Sequence, residues 1–347
     1  MKALTVEPLT AGSGELQDIP EPAEPEGSVL IEAIAVGVDG TDQEINDGEY
    51  GEPPPGKDRL VLGHESFGRV IEAPDGSGVS PGDHVVAFVR HPDPVPCPQC
   101  AAGDWDMCTN GQYTEHGIKG RDGFIRERYR VDPDRVIVTD PELGDLGVLV
   151  EPVSVVAKAW DHIERIASRS PWQPKRALVT GAGPIGLFAA MIGAQKGIEM
   201  HVLDRVEEGL KPELVRDQGW TYHTDIERAG SFDAVIECTG VGPLVFSAIE
   251  HTSPGGVMAL TGIATGGPAE VDAFTLNKEM VLNNTVVFGS VNAGARHYEQ
   301  AAEALAKADP KWLSRLVTRR VPLDDWHESL ERKPDDVKTV ISFEANK

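Results

Sequence analysis

The apolar positions of this chain change rhythm about halfway along it. Up to about residue 130 they come in short β-type runs, such as 28–38, 69–73 and 83–89, separated by clusters of Gly and Pro. The segments GEYGEPPPGKD (48–58) and APDGSGVSPGD (73–83) are the clearest of these breaks. Runs of that length with such punctuation predict a small, irregular β-barrel or sandwich with long loops. Residues 149–168 then place apolar side chains at helical spacing, with no proline after Pro152 until Pro171. The stretch 169–174 reads as the lead into a second domain. From Arg176 onward, strand-like runs (177–180, 200–203, 233–237, 257–260, 285–291) alternate with helical ones such as 243–251. That alternation predicts a parallel, doubly wound α/β sheet. A helix over 297–307 and a β-like tail over 337–343 close the chain. The tail needs a partner, and the first domain is where it would find one.

The stretch RALVTGAGPIGLFAAMIGAQKGIEMHVLD (176–204) carries the most specific chemistry. A short strand runs into Gly181, Gly183 and Gly186, spaced G-x-G-x-x-G. An apolar helix over 187–196 follows, closed by Gly197, and the next strand ends at Asp204, 21 residues beyond Gly183 (204 − 183). Gly181 permits a tight turn, Gly183 lets backbone approach a pyrophosphate, and Gly186 lets helix and strand pack closely. The pyrophosphate then meets unpaired N–H groups at the helix N-terminus. This is the order of parts that dinucleotide binding needs.

Charge alters the picture further. The chain holds 56 acidic residues against 32 basic ones, a formal net charge of −24 over 347 residues, spread along its whole length. Such a surface repels nucleic-acid phosphates and anionic membranes, so neither is an expected partner. It suits a halophilic protein in molar salt, where self-repulsion is screened. There is no signal-peptide pattern and no apolar run of membrane-spanning length, so a cytoplasmic location is expected. Cys238 stands alone, while Cys97, Cys100 and Cys108 cluster, which in a reducing compartment reads as a metal site.

Four polar landmarks punctuate the first half: Asp39-Gly40-Thr41-Asp42, Gly63-His64-Glu65, Glu115-His116 and Glu151-Pro152. Singly, each is an ordinary hydrogen-bonded polar residue. Together with the nucleotide-binding stretch they resemble the zinc-dependent medium-chain dehydrogenases, which carry a G-H-E motif about 25 residues after a first metal ligand (64 − 39). The resemblance covers nearly the whole chain and is nearest to the glucose dehydrogenases of archaea, particularly halophilic ones. It rests on VGVDGTDQE (36–44), LVLGHE (60–65), YTEHGI (113–118), LVEPVSV (149–155) and NKEMVLNNTVVFGSVN (277–292).

The resemblance implies a GroES-like β-barrel catalytic domain over 1–172 and 293–347, and a Rossmann NAD(P)-binding domain over 173–292. It implies a catalytic Zn2+ held by Asp39, His64, Glu65 and Glu151, with aspartate where most of the wider family has cysteine. It implies aldose 1-dehydrogenation, from D-glucose to gluconolactone, with hydride passing to NAD(P)+. Thr41 and Glu65 would take the catalytic roles, Thr41 bridging the reacting hydroxyl to a proton relay. Thr41, Glu115, Glu151 and Asn292 would hold the sugar. The cofactor set would be Gly181, Gly183, Pro184, Ile185, Gly186, Asp204, Arg205, Thr239 and Asn292. Asp204 favours NAD through the ribose hydroxyls, whereas Arg205 can receive the 2′-phosphate of NADP, so use of both is expected.

Cys97-Pro-Gln-Cys100 with Cys108 resembles the family's four-cysteine structural zinc lobe with its first member missing, a place that Asp93 could fill. The family is usually dimeric or tetrameric, so a homodimer or homotetramer is expected. Two other readings of the residues stand beside this one: a zinc-dependent alcohol or polyol dehydrogenase, and a nucleotide-binding redox sensor without turnover. The joint presence of Asp39, His64 and Glu151 disfavours the sensor.

Overall fold

The strand Val29–Val38, rich in Val and Ile, is the axis of the first half of the molecule. Its burial alternates at first and then becomes continuous, so its far end is covered on both faces. It pairs antiparallel with Glu65–Glu72 on one side. On the other it takes two partners in turn, Arg128–Val131 and then Lys338–Ser342. The strand order of this sheet is Val136–Val138, His84–Ala87, Glu65–Glu72, Val29–Val38, Lys338–Ser342 and Val317–Pro322. A smaller sheet joins Glu15–Asp18, Lys2–Val6 and Leu60–Val61. Leu4, Ile31, Val36, Phe124, Tyr129 and Ile341 are among the buried residues of their common core. The tail strand thus returns to the N-terminal sheet, where its backbone groups find the partners that an isolated strand would lack.

This computed structural model describes residues 1–343 apart from 265, 266 and 269. The chain divides into two compact units, 1–151 with 293–347 and 152–292. The division falls at Glu151, within the helix Val150–Ala167, rather than near residue 172. The reason lies in that helix: Trp160 is buried, and its indole N–H donates to the Ala189 carbonyl at 2.9 Å, which ties it to the second unit.

The unit 152–292 is a six-stranded parallel sheet. Its order is Thr221–His223, Glu199–Leu203, Arg176–Thr180, Phe232–Glu237, Thr252–Leu260 and Val286–Gly289. Numbered along the chain this is 3-2-1-4-5-6, the doubly wound order of dinucleotide-binding sheets. The switch point lies between Arg176–Thr180 and Phe232–Glu237, so a ligand crevice is expected beyond Thr180 and Glu237. The helix after the first strand runs Pro184–Gln195, three residues earlier than its apolar pattern suggested. Pro184 occupies the first turn, where its missing N–H costs nothing. Among the described residues no helix is long and apolar enough to cross a membrane.

Candidate active site

Three polar side chains converge at the buried end of the axial strand. Asp39 follows that strand and caps the helix Gly40–Asn46, accepting the Thr41 backbone N–H at 2.7 Å. Its own N–H donates to the Asp42 carboxylate at 3.2 Å, and fully buried Asp42 in turn accepts the Gly63 N–H at 3.1 Å. This clamp places Gly63-His64-Glu65 against the cap. His64 Nε2 lies 3.7 Å from Asp39 Oδ2, and His64 Nδ1 lies 3.8 Å from Asp42 Oδ2. Glu65 is 2% exposed and forms an ion pair with equally buried Lys338, whose ammonium also donates to the Val38 carbonyl at 3.2 Å. Gly37 makes room for that carboxylate, since a Cβ there would sit 1.8 Å from Glu65 Oε2.

Burial alone would make His64 harder to protonate, but the carboxylates of Asp39, Asp42 and Glu151 override it and raise its pKa well above the ordinary value. Burial, with Glu65 and Asp39 nearby, pushes the Glu151 carboxyl up to about 8. Lys338 stays protonated despite its burial because Glu65 and Asp39 face it.

The donor set fits a divalent ion. One ligand atom each from Asp39, His64 and Glu65 lies within 4.8 Å of the others. His64 turns Nε2 toward Asp39 and Nδ1 toward Asp42, so Nε2 is the nitrogen that would meet an ion held with Asp39. Two carboxylates and an imidazole, with fewer than four protein donors, match a catalytic zinc site that keeps a position open. Glu151 stands outside this trio, close enough for its charge to act on His64 and Glu65. Thr41 lies in the first turn of the capped helix, with Tyr50 and Glu44 nearby. Glu115 is engaged by Arg90, which donates to it through Nε at 2.9 Å, in a buried ion pair beneath Tyr113.

The cysteine lobe holds a second cluster. Asp93, Cys97, Cys100 and Cys108 each offer an atom within 4.8 Å of the others, and all three thiols are free. Asp93 Oδ2 accepts the Cys97 N–H at 3.1 Å and approaches Cys108 Sγ at 3.5 Å. Its Oδ1 is buried without a partner among the described residues. Backbone N–H groups of Cys100 and Thr109 draw the Cys97 thiol down to about 6, whereas burial pushes Cys100 up to about 12. Three sulfurs and one orphaned carboxylate oxygen suit a closed tetrahedral zinc.

In the unit 152–292 the glycine turn has the expected geometry. Gly181 has φ +90°, and a Cβ on Gly186 would lie 1.9 Å from the Gly181 carbonyl oxygen. A Cβ on Gly183 would meet nothing within 4 Å. Gly183 caps the helix without a side-chain hydrogen bond, so the first-turn N–H groups are left for a ligand. Asp204 Oδ2 accepts the Ala182 N–H at 2.7 Å and Oδ1 the Val206 N–H at 3.1 Å, while Arg205 beside it is exposed. Thr239 follows the next strand and donates its backbone N–H to fully buried Glu237 at 2.7 Å.

Two family models match the chain: "Alcohol dehydrogenase GroES-like domain" over residues 25–141 and "Glucose dehydrogenase C-terminus" over 144–343. The chain belongs to the glucose dehydrogenase family. Among its members, glucose 1-dehydrogenase 1 of Caldivirga maquilingensis is 40% identical over 99% of both chains. Glucose 1-dehydrogenase of Halobacterium salinarum is 36% identical over 95% of this chain and 96% of its own. The solved structure of Haloferax mediterranei glucose dehydrogenase, in complex with NADP, Zn and gluconolactone, superposes with a TM-score of 0.92. It is 31% identical and covers 99% of this chain and 100% of its own. The fold is therefore the zinc-dependent medium-chain one, with a GroES-like part and a Rossmann part.

In this glucose dehydrogenase Glu151 stands outside the cluster that the other three expected ligands form. Asp39, His64 and Glu65 come together, as do Asp93 and the three cysteines. Pro184 and Ile185 lie in the first turn of the nucleotide-binding helix. Asn292, 8% exposed with φ +58°, ends its unit. Lys338, Tyr50 and Glu237 went unread. Two of them had a signal: Lys338 and Glu237 are charges at the ends of apolar strand runs.

Proposed function

We propose that this chain is a zinc-dependent aldose 1-dehydrogenase that oxidises D-glucose to gluconolactone and reduces NAD(P)+. The observation that carries this is the trio Asp39, His64 and Glu65, whose ligand atoms lie within 4.8 Å of one another, in a chain related over its full length to glucose dehydrogenases. These residues, joined by Glu151 directly or through water, would hold the ion. Zinc bound there supplies Lewis acidity that lowers the pKa of the anomeric hydroxyl. Thr41 bridges that hydroxyl to a proton relay. Glu115, fixed in place by Arg90, and Glu151 accept hydrogen bonds from the other sugar hydroxyls, and Asn292 carries an amide suited to sugar or nicotinamide. A site that pairs several hydroxyls rejects substrates lacking them. The C1 hydrogen leaves with its electron pair for the nicotinamide, so lactone and NAD(P)H balance the reaction.

Gly181, Gly183, Pro184, Ile185 and Gly186 cradle the pyrophosphate, with Thr239 beyond the neighbouring strand. Asp204 takes the adenosine ribose, and Arg205 answers a 2′-phosphate, which supports use of both NAD and NADP. Asp93, Cys97, Cys100 and Cys108 hold a structural zinc. The working form is a cytoplasmic homodimer or homotetramer, which sedimentation of the purified protein would resolve.

The decisive measurement is reduced-nicotinamide formation from D-glucose in molar potassium chloride, before and after chelation. The expected result is a rate that chelation abolishes and zinc restores. Turnover of simple alcohols or polyols, with none of glucose under either cofactor, would overturn the aldose reading.

A further inference from the structure

A cavity of about 360 Å³ in the unit 1–151 with 293–347 has no part in the chemistry described above. None of Asp39, His64 and Glu65 lines it. Its walls carry Lys57, Arg121, Arg126 and Arg130 against only two acids, Glu26 and Asp122. In a chain of formal charge −24, so dense a group of cations runs against the composition. His116 also lines the cavity, but burial and nearby cations hold it neutral, so it adds no charge.

The internal pairings leave positive charge over. Lys57 binds Asp122 at 2.5 Å, Arg126 binds Glu26 at 3.1 Å, and Arg130 binds exposed Glu72 at 2.8 Å. Arg121 has no carboxylate within 4 Å among the described residues; its Nε donates to the Thr114 hydroxyl at 3.3 Å. Arg126 is 3% exposed, and its Nε is buried with no acceptor among the described residues. The volume falls within the range of small-molecule pockets.

We propose that this cavity binds a doubly charged oxyanion of the phosphate class, either free or carried on a small phosphorylated metabolite. Planar guanidinium groups match tetrahedral oxyanions in forked pairs, and Lys57 adds a point charge at the rim. Arg121, which has no carboxylate partner among the described residues, is the donor that such a ligand would satisfy first.

Thermal unfolding of the full chain tests this, at constant ionic strength in potassium chloride, with inorganic phosphate or fructose 6-phosphate replacing chloride. A midpoint that rises saturably with phosphate is expected. In Arg121→Gln the half-saturating concentration should rise about tenfold, the loss of one charge-assisted contact. Lys57→Gln, altering a side chain that is 58% exposed, guards against a fold defect in the first variant and should also weaken binding. Phosphate taken up by the glycine turn contributes equally to all three proteins and drops out of the comparison. Saturation at lower concentration with fructose 6-phosphate assigns the site to phosphorylated metabolites, and tighter binding of phosphate assigns it to the free ion. A rise that never saturates, or one equal in wild type and both variants, would sink the proposal.

Discussion

Lys338 and Glu65 are each 2% exposed and face one another 273 residues apart in sequence. Two charges taken out of water repay their desolvation only while they remain paired. Lys338→Met should therefore leave a buried carboxylate uncompensated and lower stability by about 3–5 kcal/mol. The double variant with Glu65→Gln should recover much of that loss, because the stranded charge is gone. Denaturant unfolding in the presence of a chelator reads both, without any contribution from bound metal. Equal losses in the single and double variants would mean that the pair contributes packing and not charge compensation. Sequence order could reveal His64 and Glu65 through adjacent Gly63 and through the spacing of about 25 residues from Asp39 (64 − 39). Lys338 belongs to the site only because the tail strand pairs with Val29–Val38, and that adjacency exists only once the chain has folded.

Among elements, those with long apolar runs were legible, whereas the short helix Pro310–Leu316, although it buries Trp312, Leu313 and Leu316, was not. The helix Ala273–Asn283 has no buried residue and leaves Phe274, Val281 and Leu282 largely exposed, so no apolar stripe marked it. Its local signals were the Asp272 cap and left-handed Asn284 at its end. The glycine turn lies at the other extreme, because a positive φ and a 1.9 Å approach admit no other residue. Its glycines nevertheless do different jobs, and substitution separates them. Gly186→Ala drives a methyl into the Gly181 carbonyl, so it should lower the unfolding midpoint and weaken NADH binding together. Gly183→Ala adds a methyl to open space at an ordinary φ of −79°, so the midpoint should hold. Cofactor affinity should still fall by about tenfold or more, since the added Cβ occupies the path by which the pyrophosphate approaches backbone. Fluorescence titration with NADH, run beside thermal unfolding, checks both. Unchanged affinity in Gly183→Ala would move the pyrophosphate away from this turn.

At the scale of the whole molecule, the excess of 56 acidic over 32 basic residues is the dominant physical fact. Folding gathers that charge into a small volume, and the self-repulsion opposes the compact state. Exposed ion pairs such as Lys2–Asp324 and Arg128–Glu21 work the other way, but each contributes only about 0–1 kcal/mol and is itself weakened by salt. Raising potassium chloride from 0.1 M to 1 M shortens the screening length from about 10 Å to about 3 Å. Repulsion acts over many distant pairs whereas attraction acts over a few close ones, so screening removes more of the first than of the second. The unfolding midpoint should therefore climb steeply across this range and flatten above it. A variant in which several exposed acids outside both clusters are changed to glutamine should start higher and climb less. Should the midpoint fall with added salt in both proteins, close ion pairs would outweigh the net charge, and the acidic surface would have no stabilising response to salt.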